Sequence, residues 1–189
     1  GSSATRGSEK YEAEIRNSMG KTINVLVTRA KVPESGLSVI SLLDISERSA
    51  MERELAYRAN HDLLTGLANK ALVATRLIAA MQNVHESGGM VGLLLIDLYR
   101  FKQVNDSFGH SLGDKLLRQA AERLIYLARQ DDCVARTGGD EFVIVVGKAQ
   151  GKIQLAALAN NVLHSLNRCF YVDEYSIYLS ASIGIACYP

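Results

Sequence analysis

Gly138-Gly139 stands between two β-prone apolar runs, Asp132-Cys133-Val134-Ala135-Arg136 and Phe142-Val143-Ile144-Val145-Val146. Adjacent glycines between strand-forming segments predict a β-hairpin with its turn at Gly138-Gly139-Asp140-Glu141. Glycine takes positive φ freely and lets a ligand approach the backbone without meeting a β-carbon. Asp140 and Glu141 put two carboxylates at the same tip. Like charges side by side repel, and an exposed turn has little structural use for that. A bound cation reverses the local electrostatics and makes the pair favourable. Gly-Gly-Asp alone reads as an acidic, solvated turn; a further carboxylate delivered by another strand turns it into a candidate site.

Such a strand is present. Gly92-Leu93-Leu94-Leu95-Ile96-Asp97 is an apolar run ending in an acid, the pattern of a buried strand that carries a carboxylate to the edge of a sheet. Phe101-Lys102-Gln103-Val104-Asn105-Asp106-Ser107-Phe108-Gly109-His110-Ser111-Leu112-Gly113-Asp114 follows it. With these segments the chain resembles the GGDEF family, the diguanylate cyclases. The resemblance runs from about His61 to the C-terminus and includes that family's opening motif as His61-Asp62-Leu63-Leu64-Thr65-Gly66-Leu67-Ala68-Asn69.

The resemblance implies that two GTP molecules are joined into cyclic di-GMP with Mg²⁺ (or Mn²⁺), the 3′-hydroxyl of one attacking the α-phosphorus of the other. It implies Asp97, the Leu98 carbonyl, Asp140 and Glu141 as metal ligands. Glu141 is either a further ligand or the group that helps deprotonate the hydroxyl, and both roles stay open at this stage. Lys102 meets phosphate as a point charge. Asn105 and Asp114 select the base, because guanine offers an N1–H and N2–H₂ donor pair that one carboxylate accepts. As residues alone, Gly113-Asp114 reads equally as the N-cap of a helix. Gly138 and Gly139 let ribose and α-phosphate lie against the backbone. Asp62 and Asn69 resemble positions near the nucleotide, although Asp62 is read here as the cap of a turn. His110 is read as structural, and His61, His85 and His164 have no ligand-spaced partners.

Arg129-Gln130-Asp131-Asp132 is similar to the family's product-inhibition site, in which Arg129 grips a guanine edge or phosphate of cyclic di-GMP and Asp132 accepts from a base. Without the resemblance, the same residues are an ordinary helix end followed by a turn. One domain holds one GTP, so the resemblance further implies a catalytic homodimer.

Composition adds bounds. A chain of 189 residues allows one ordinary domain and a smaller piece. A net charge of +1 gives no footprint for a nucleic-acid polymer. Cys133, Cys169 and Cys187 lack disulfide or zinc spacing and read as buried thiols of a reducing, cytoplasmic compartment, with membrane association of the parent protein left open. Gly1 to Gly7 reads as an appended leader.

Residues 8–46 are expected to hold strands near Lys10–Arg16, Thr22–Lys31 and Leu37–Asp44, with turns at Asn17–Gly20 and Pro33–Gly36. They resemble the C-terminal half of a PAS domain, with Leu43-Asp44-Ile45-Ser46-Glu47-Arg48 similar to its closing motif. Residues 47–60 form a charged helical linker with a narrow seam at Met51, Leu55 and Ala59, read as a short coiled coil rather than a helix lying on its own domain. Residues 61–189 form the GGDEF domain. Its expected elements are a helix near 69–87, a strand at 91–97, a helix near 113–130, a hairpin over 133–146, a helix near 151–169 and a hairpin at 171–173/175–187. That order predicts an α+β, ferredoxin-like, polymerase-palm-like core, a mixed sheet with helices on one face.

The chain departs from the family pattern at three places. Tyr99 stands where many relatives carry a second Asp, Lys70 replaces an Arg after Asn69, and the chain stops at Tyr188-Pro189, short of a final helix with Lys and Arg for the triphosphate. Weak GTP binding by this stretch is therefore expected. Two other readings compete with a cyclase under PAS-type control. One is a GTP-binding module that regulates an adjoining EAL phosphodiesterase domain. The other is a PAS-type sensing and dimerisation piece.

Overall fold

The computed structural model describes residues 8–32 and 35–189. Gly1–Gly7, expected to be an appended leader, and Pro33-Glu34 of the second predicted turn lie outside the described residues. The chain divides into two compact units that meet between Tyr57 and Arg58.

In the first unit, β1 (Ser8–Arg16), β2 (Thr22–Lys31) and β3 (Ser38–Asp44) form an antiparallel sheet in that order, close to the expected boundaries. Asn17 shapes the first turn: its Oδ1 accepts from the Met19 and Lys21 N–H groups at 3.0 and 2.9 Å, and Gly20 supplies the positive φ of 77°. Val25, Val27 and Ile45 are buried, whereas Val39, Ile40, Leu42 and Leu43 on β3 are exposed. Helix α1 (Ser46–Asn60) follows, started by Asp44, whose Oδ1 accepts from the Ser46 N–H at 2.9 Å. None of its residues is buried, and Met51, Leu55 and Ala59 of the predicted seam face solvent.

The second unit runs α2 (Lys70–Ser87), β4 (Met90–Tyr99), α3 (Phe101–Phe108), α4 (His110–Leu127), β5 (Cys133–Gly138), β6 (Glu141–Ala149), α5 (Lys152–Leu166), β7 (Phe170–Val172), β8 (Tyr175–Ile177) and β9 (Ser180–Tyr188). The main sheet has the order β5-β6-β4-β9, the βαββαβ arrangement of a ferredoxin-like α+β core. Its strands pair antiparallel throughout; the parallel element is a single bridge between Ala68 and Ala135.

Helices cover both faces rather than one. Leu94, Ile96 and Leu98 of β4 and Phe142 and Ile144 of β6 pack with Leu116, Ala120 and Leu124 of α4 and Leu155 and Val162 of α5. On the other face Val91, Ala135, Val143 and Val145 meet Val73, Ala80 and Val84 of α2. The uninterrupted buried run Phe142 to Val146 is the physical reason, because consecutive apolar residues point to opposite faces and both must be covered.

Two expected elements differ. The helix placed at 113–130 begins at His110, and a separate α3 precedes it, the two parted at Gly109 with φ 84°. The strand expected over 175–187 breaks at Tyr178-Leu179: β8 pairs with β7, while β9 joins β4 in the main sheet. Of the three free cysteines, Cys133 and Cys169 are half-buried, and burial pushes the Cys133 thiol up; Cys187, near the end of the edge strand β9, is exposed. No helix among the described residues is long and apolar enough to cross a membrane.

Gly92 lets α5 lie against β4, since a β-carbon there would overlap the buried Leu155 side chain. Gly92→Ala is therefore expected to destabilise the domain by roughly 1–3 kcal/mol through overpacking. A shift of the urea midpoint at unchanged slope checks this.

Candidate functional site at the β4–β6 edge

The register of β4 on β6 sets Asp97 opposite Glu141, so both carboxylates stand on the same face of the sheet. Gly138 pairs with Glu141 across a two-residue turn, Gly139-Asp140. Gly139 has φ 51° and Gly138 φ 153°, values that L side chains avoid. No atom lies within 4 Å of where a β-carbon would stand at either glycine, which leaves open space over the backbone. The Leu98 N–H donates to the Asp140 carbonyl at 3.2 Å and ties the turn to β4.

Asp97, Asp140 and Glu141 act on one another electrostatically. Partial burial, then the charges of Asp140 and Glu141, raise the Asp97 carboxyl above its usual value. Among the described residues no group of three or more His, Cys, Asp or Glu side chains stands close enough to hold an ion as arranged. The donor chemistry nevertheless fits a hard divalent cation: carboxylate oxygens of like charge on one face, with Leu98 next in the chain after Asp97. The carboxylates border a recess of about 390 Å³ lined by Leu95, Thr137, Ser182 and Gly184 as well as Asp97 and Glu141. Tyr99, two residues beyond Asp97 on the same face, is exposed and lies against Arg100, whose guanidinium carbon is 5.1 Å from the ring centroid.

Lys102, on the first turn of α3, is exposed. Asn105 and Asp114 are half-buried on α3 and α4. Asn105 Oδ1 is the one buried side-chain polar atom without a partner among the described residues, and it sits where a β-carbon at Gly113 would be. Such an orphan is unusual in a folded protein. Asp114 lies within α4, one turn past its start at His110, so the N-cap role is excluded and Gly109 occupies that position. His110 is the first residue of the helix and is exposed.

Asp62 and Asn69 are engaged by their own fold. Asp62 Oδ1 accepts from the Thr65 N–H at 2.9 Å and its hydroxyl at 2.6 Å, closing the turn as expected. Asn69 N-caps α2, accepting from the Ala71 and Leu72 N–H groups at 3.0 and 3.1 Å. A residue that the sequence did not single out joins these parts. Arg136 pairs with Asp62 at 3.0 Å, the two side chains being 12% and 22% exposed, and also donates to the Gly139 carbonyl. A lone cation two residues before an acidic turn was the available signal.

Asp132 builds the turn after α4: its carboxylate accepts from the Arg129 N–H at 2.9 Å and its own N–H donates to the Arg129 carbonyl at 3.0 Å. The turn-starting role is thus realised. The exposed Arg129 borders a recess of about 340 Å³ floored by Gly66, Leu67 and Val134.

The model of the family described as diguanylate cyclase, GGDEF domain, matches residues 59–189. The chain belongs to that family. The GGDEF domain is similar to the bifunctional diguanylate cyclase/cyclic di-GMP phosphodiesterase MucR of Pseudomonas aeruginosa, 41% identical over 72% of this chain and 20% of MucR. Among solved structures it resembles the GGDEF domain of PA1120 (TpbB or YfiN) from the same organism, with a TM-score of 0.67 and 35% identity over 68% of this chain and 76% of that one. It also resembles the GGDEF domain of DgcB from Caulobacter crescentus in complex with c-di-GMP, with a TM-score of 0.65 and 26% identity over 69% and 78% of the two chains. The chain spans about a fifth of the length of curated relatives such as MucR, at 20%.

Burial alone would raise the Asp62 carboxyl, but the bonds from Thr65 and Arg136 outweigh it and hold the group below its usual value. A depressed carboxyl adds stability above its unfolded value, about 3.9, and loses it as pH falls through the folded one. Asp62→Asn should therefore cost roughly 1–3 kcal/mol near neutrality. The deficit should shrink below about pH 4. Urea unfolding across pH checks this, and a deficit independent of pH would overturn it.

Proposed function

We propose that this GGDEF domain is a diguanylate cyclase that condenses two GTP molecules into cyclic di-GMP. The observation that carries the reading is the β4–β6 register, which sets Asp97 across from Glu141 beside the Asp140 turn. When bound by Asp97, the Leu98 carbonyl, Asp140 and Glu141, a divalent cation (Mg²⁺ or Mn²⁺) supplies the positive charge that lets carboxylates and a triphosphate share one tip. The open backbone at Gly138 and Gly139 receives the ribose and α-phosphate, and Lys102 meets the outer phosphates. Asp114 accepts from the guanine N1–H and N2–H₂ groups, with Asn105 beside it. The unpartnered Asn105 oxygen and the position of Asp114 inside α4 support this assignment. Adenine, which lacks that donor pair, leaves the buried polar groups unpaired and is rejected.

In the bond-forming step the 3′-hydroxyl oxygen attacks the α-phosphorus, the bond from that phosphorus to the bridging oxygen of pyrophosphate breaks, and Glu141 takes the hydroxyl proton. Repetition closes the ring. Each domain holds one GTP, so two domains face each other and the active form is a homodimer. The strands before α1 act as part of a PAS-type sensor in this reading, with α1 carrying its state onward. Arg129 and Asp132 form a second site for cyclic di-GMP, supported by the recess beside the guanidinium.

The deciding experiment incubates the full-length protein with GTP and Mg²⁺ and separates the products by chromatography. Cyclic di-GMP is expected, and its formation should be abolished by Asp140→Ala; turnover unaffected by that change sinks the site. GTP binding without product would instead favour a regulatory module beside an EAL phosphodiesterase domain, and Tyr99→Asp would be the first reversion to try.

Two further outcomes follow from the charges. Asp97→Asn should remove turnover yet raise the stability of the metal-free protein by about 0.2–1 kcal/mol, because it relieves like-charge repulsion present at neutral pH. A lower melting temperature would contradict this. Arg129→Ala should relieve inhibition by added cyclic di-GMP while turnover in its absence is retained; equal inhibition of variant and wild type refutes the second site.

A further inference from the structure

β7 and β8 form a two-stranded sheet of their own, joined by the turn Asp173-Glu174. Phe170, Val172 and Ile177 sink into the core shared with α4 and α5, so the hairpin is anchored at its base. Asp173 takes φ 53°, a left-handed conformation that few side chains adopt, Asp and Asn among the readiest. That turn delivers the Asp173 carboxylate to α4, where Lys115 Nζ donates to its two oxygens at 2.8 and 2.7 Å. One turn further along α4, Gln119 Nε2 donates to the Tyr171 carbonyl at 2.7 Å. Tyr175 reaches the other helix, its ring centroid 5.0 Å from that of Phe108 on α3 and the rings tilted by 55°. One hairpin thus holds α3 and α4 at once.

The ends of these helices are weakly fixed by their own residues. Arg100 and Gly109, at φ 64° and 84°, precede α3 and α4 and give neither helix a side-chain bond at its start. Phe101, Asn105 and Phe108 recur at i, i+4 and i+7 and share one face of the eight-residue α3. Phe101 and Asn105 approach α4 at Gly113, and Phe108 meets Tyr175. On α4, Lys115 directly follows Asp114. The hairpin therefore grips the chain next to Asp114 and one helical turn from Asn105. The ion pair is half-exposed on both sides, at 46% and 55%, and stabilises little by itself. Its use is geometric.

We propose that Asp173 and Tyr175 are positioning residues that determine base specificity. The β7–β8 hairpin fixes the separation of α3 and α4, and with it the spacing of Asn105 and Asp114 that distinguishes guanine from other purines. The two base-selecting groups stand on different helices joined at a glycine, so neither helix alone sets their spacing. A carboxylate that accepts two donors from one base edge tolerates little displacement, because hydrogen bonds weaken steeply away from their preferred geometry. Loosening the hairpin's hold costs discrimination first and leaves the carboxylates of β4 and β6 in place. Its bearing on base choice rests on the cyclase reading; its bearing on the two helices does not.

The test compares the full-length wild type with the double variant Asp173→Asn/Tyr175→Ala and with Gly92→Ala. Asparagine suits the left-handed backbone at 173 but carries no charge for Lys115, so the turn keeps its shape. Gly92 lies against Leu155 of α5, and its substitution loosens the domain without altering the hairpin's contacts. In the double variant, amide hydrogen exchange across α3 is expected to speed up about tenfold while β4 and β6 stay as in wild type. KM for GTP should rise about 5–10-fold with kcat within about twofold, the pattern of lost uniform binding. Preference for GTP over inosine triphosphate, which lacks the N2 amino group, should fall about fivefold. Gly92→Ala should keep that preference, and Tyr175→Phe, which retains the ring, should match wild type. An unchanged preference in the double variant, an equal fall in Gly92→Ala, or unaltered exchange in α3 would overturn the proposal. A wild type that makes no product from GTP would remove the cyclase reading, and exchange in α3 would then decide whether the hairpin holds the helices.

Discussion

Everything proposed for this molecule depends on the register in which β4 lies on β6. Side chains alternate along a strand, so a slip of one residue would turn Asp97 away from Glu141 and bury it among the residues that pack on α4. The register is held from three directions. Apolar residues of β6 are covered on both faces, so neither set can exchange with the other without exposing itself. The two-residue turn permits one pairing of β5 with β6. The Leu98 bond to the Asp140 carbonyl then locks the end of β4 to the turn. Chemistry at the tip is thus fixed by packing that lies elsewhere.

The tip is itself electrostatically unfavourable, and the domain compensates away from it. Two arginines show how. Arg123 lies over the Phe170 ring at 3.6 Å and satisfies the carbonyls at the end of α5, a purely architectural use of a guanidinium. Arg136 spends its donors on a carboxylate and on a turn that has no packing of its own. The first ties α4 to the end of α5, and the second ties the loop that holds Asp62 to the Gly139-Asp140 turn.

Much of this was readable from residue order. The strand ending at Asp97, the glycine hairpin and the helix after Asn69 each carry a strong local period or an unambiguous punctuation mark. The failures are equally physical. A helix break at Gly109 leaves apolar spacing almost intact on either side, so α3 and α4 blur together and Asp114 looks like a cap. The parting of β8 from β9 has no turn residue to announce it, because Ile177 and Leu179 both sink into the core while the chain changes sheets. Coverage of the second sheet face was available from the unbroken run Phe142 to Val146, whose consecutive burial needs two apolar layers. Arg136 offered only its charge before the turn as a signal, because its partners are 74 residues and one turn away.

The fit of Asn105 against Gly113 has a different kind of consequence. One oxygen occupies the volume that any other residue at 113 would claim for its β-carbon, so α3 and α4 meet through a contact that also belongs to the proposed base pocket. Packing and ligand choice are therefore the same variable at that corner. A β-carbon at position 113 would press on the core ring of Phe101 as well as on Asn105, so a change there would disturb the packing of α3 on α4 and the proposed base pocket together.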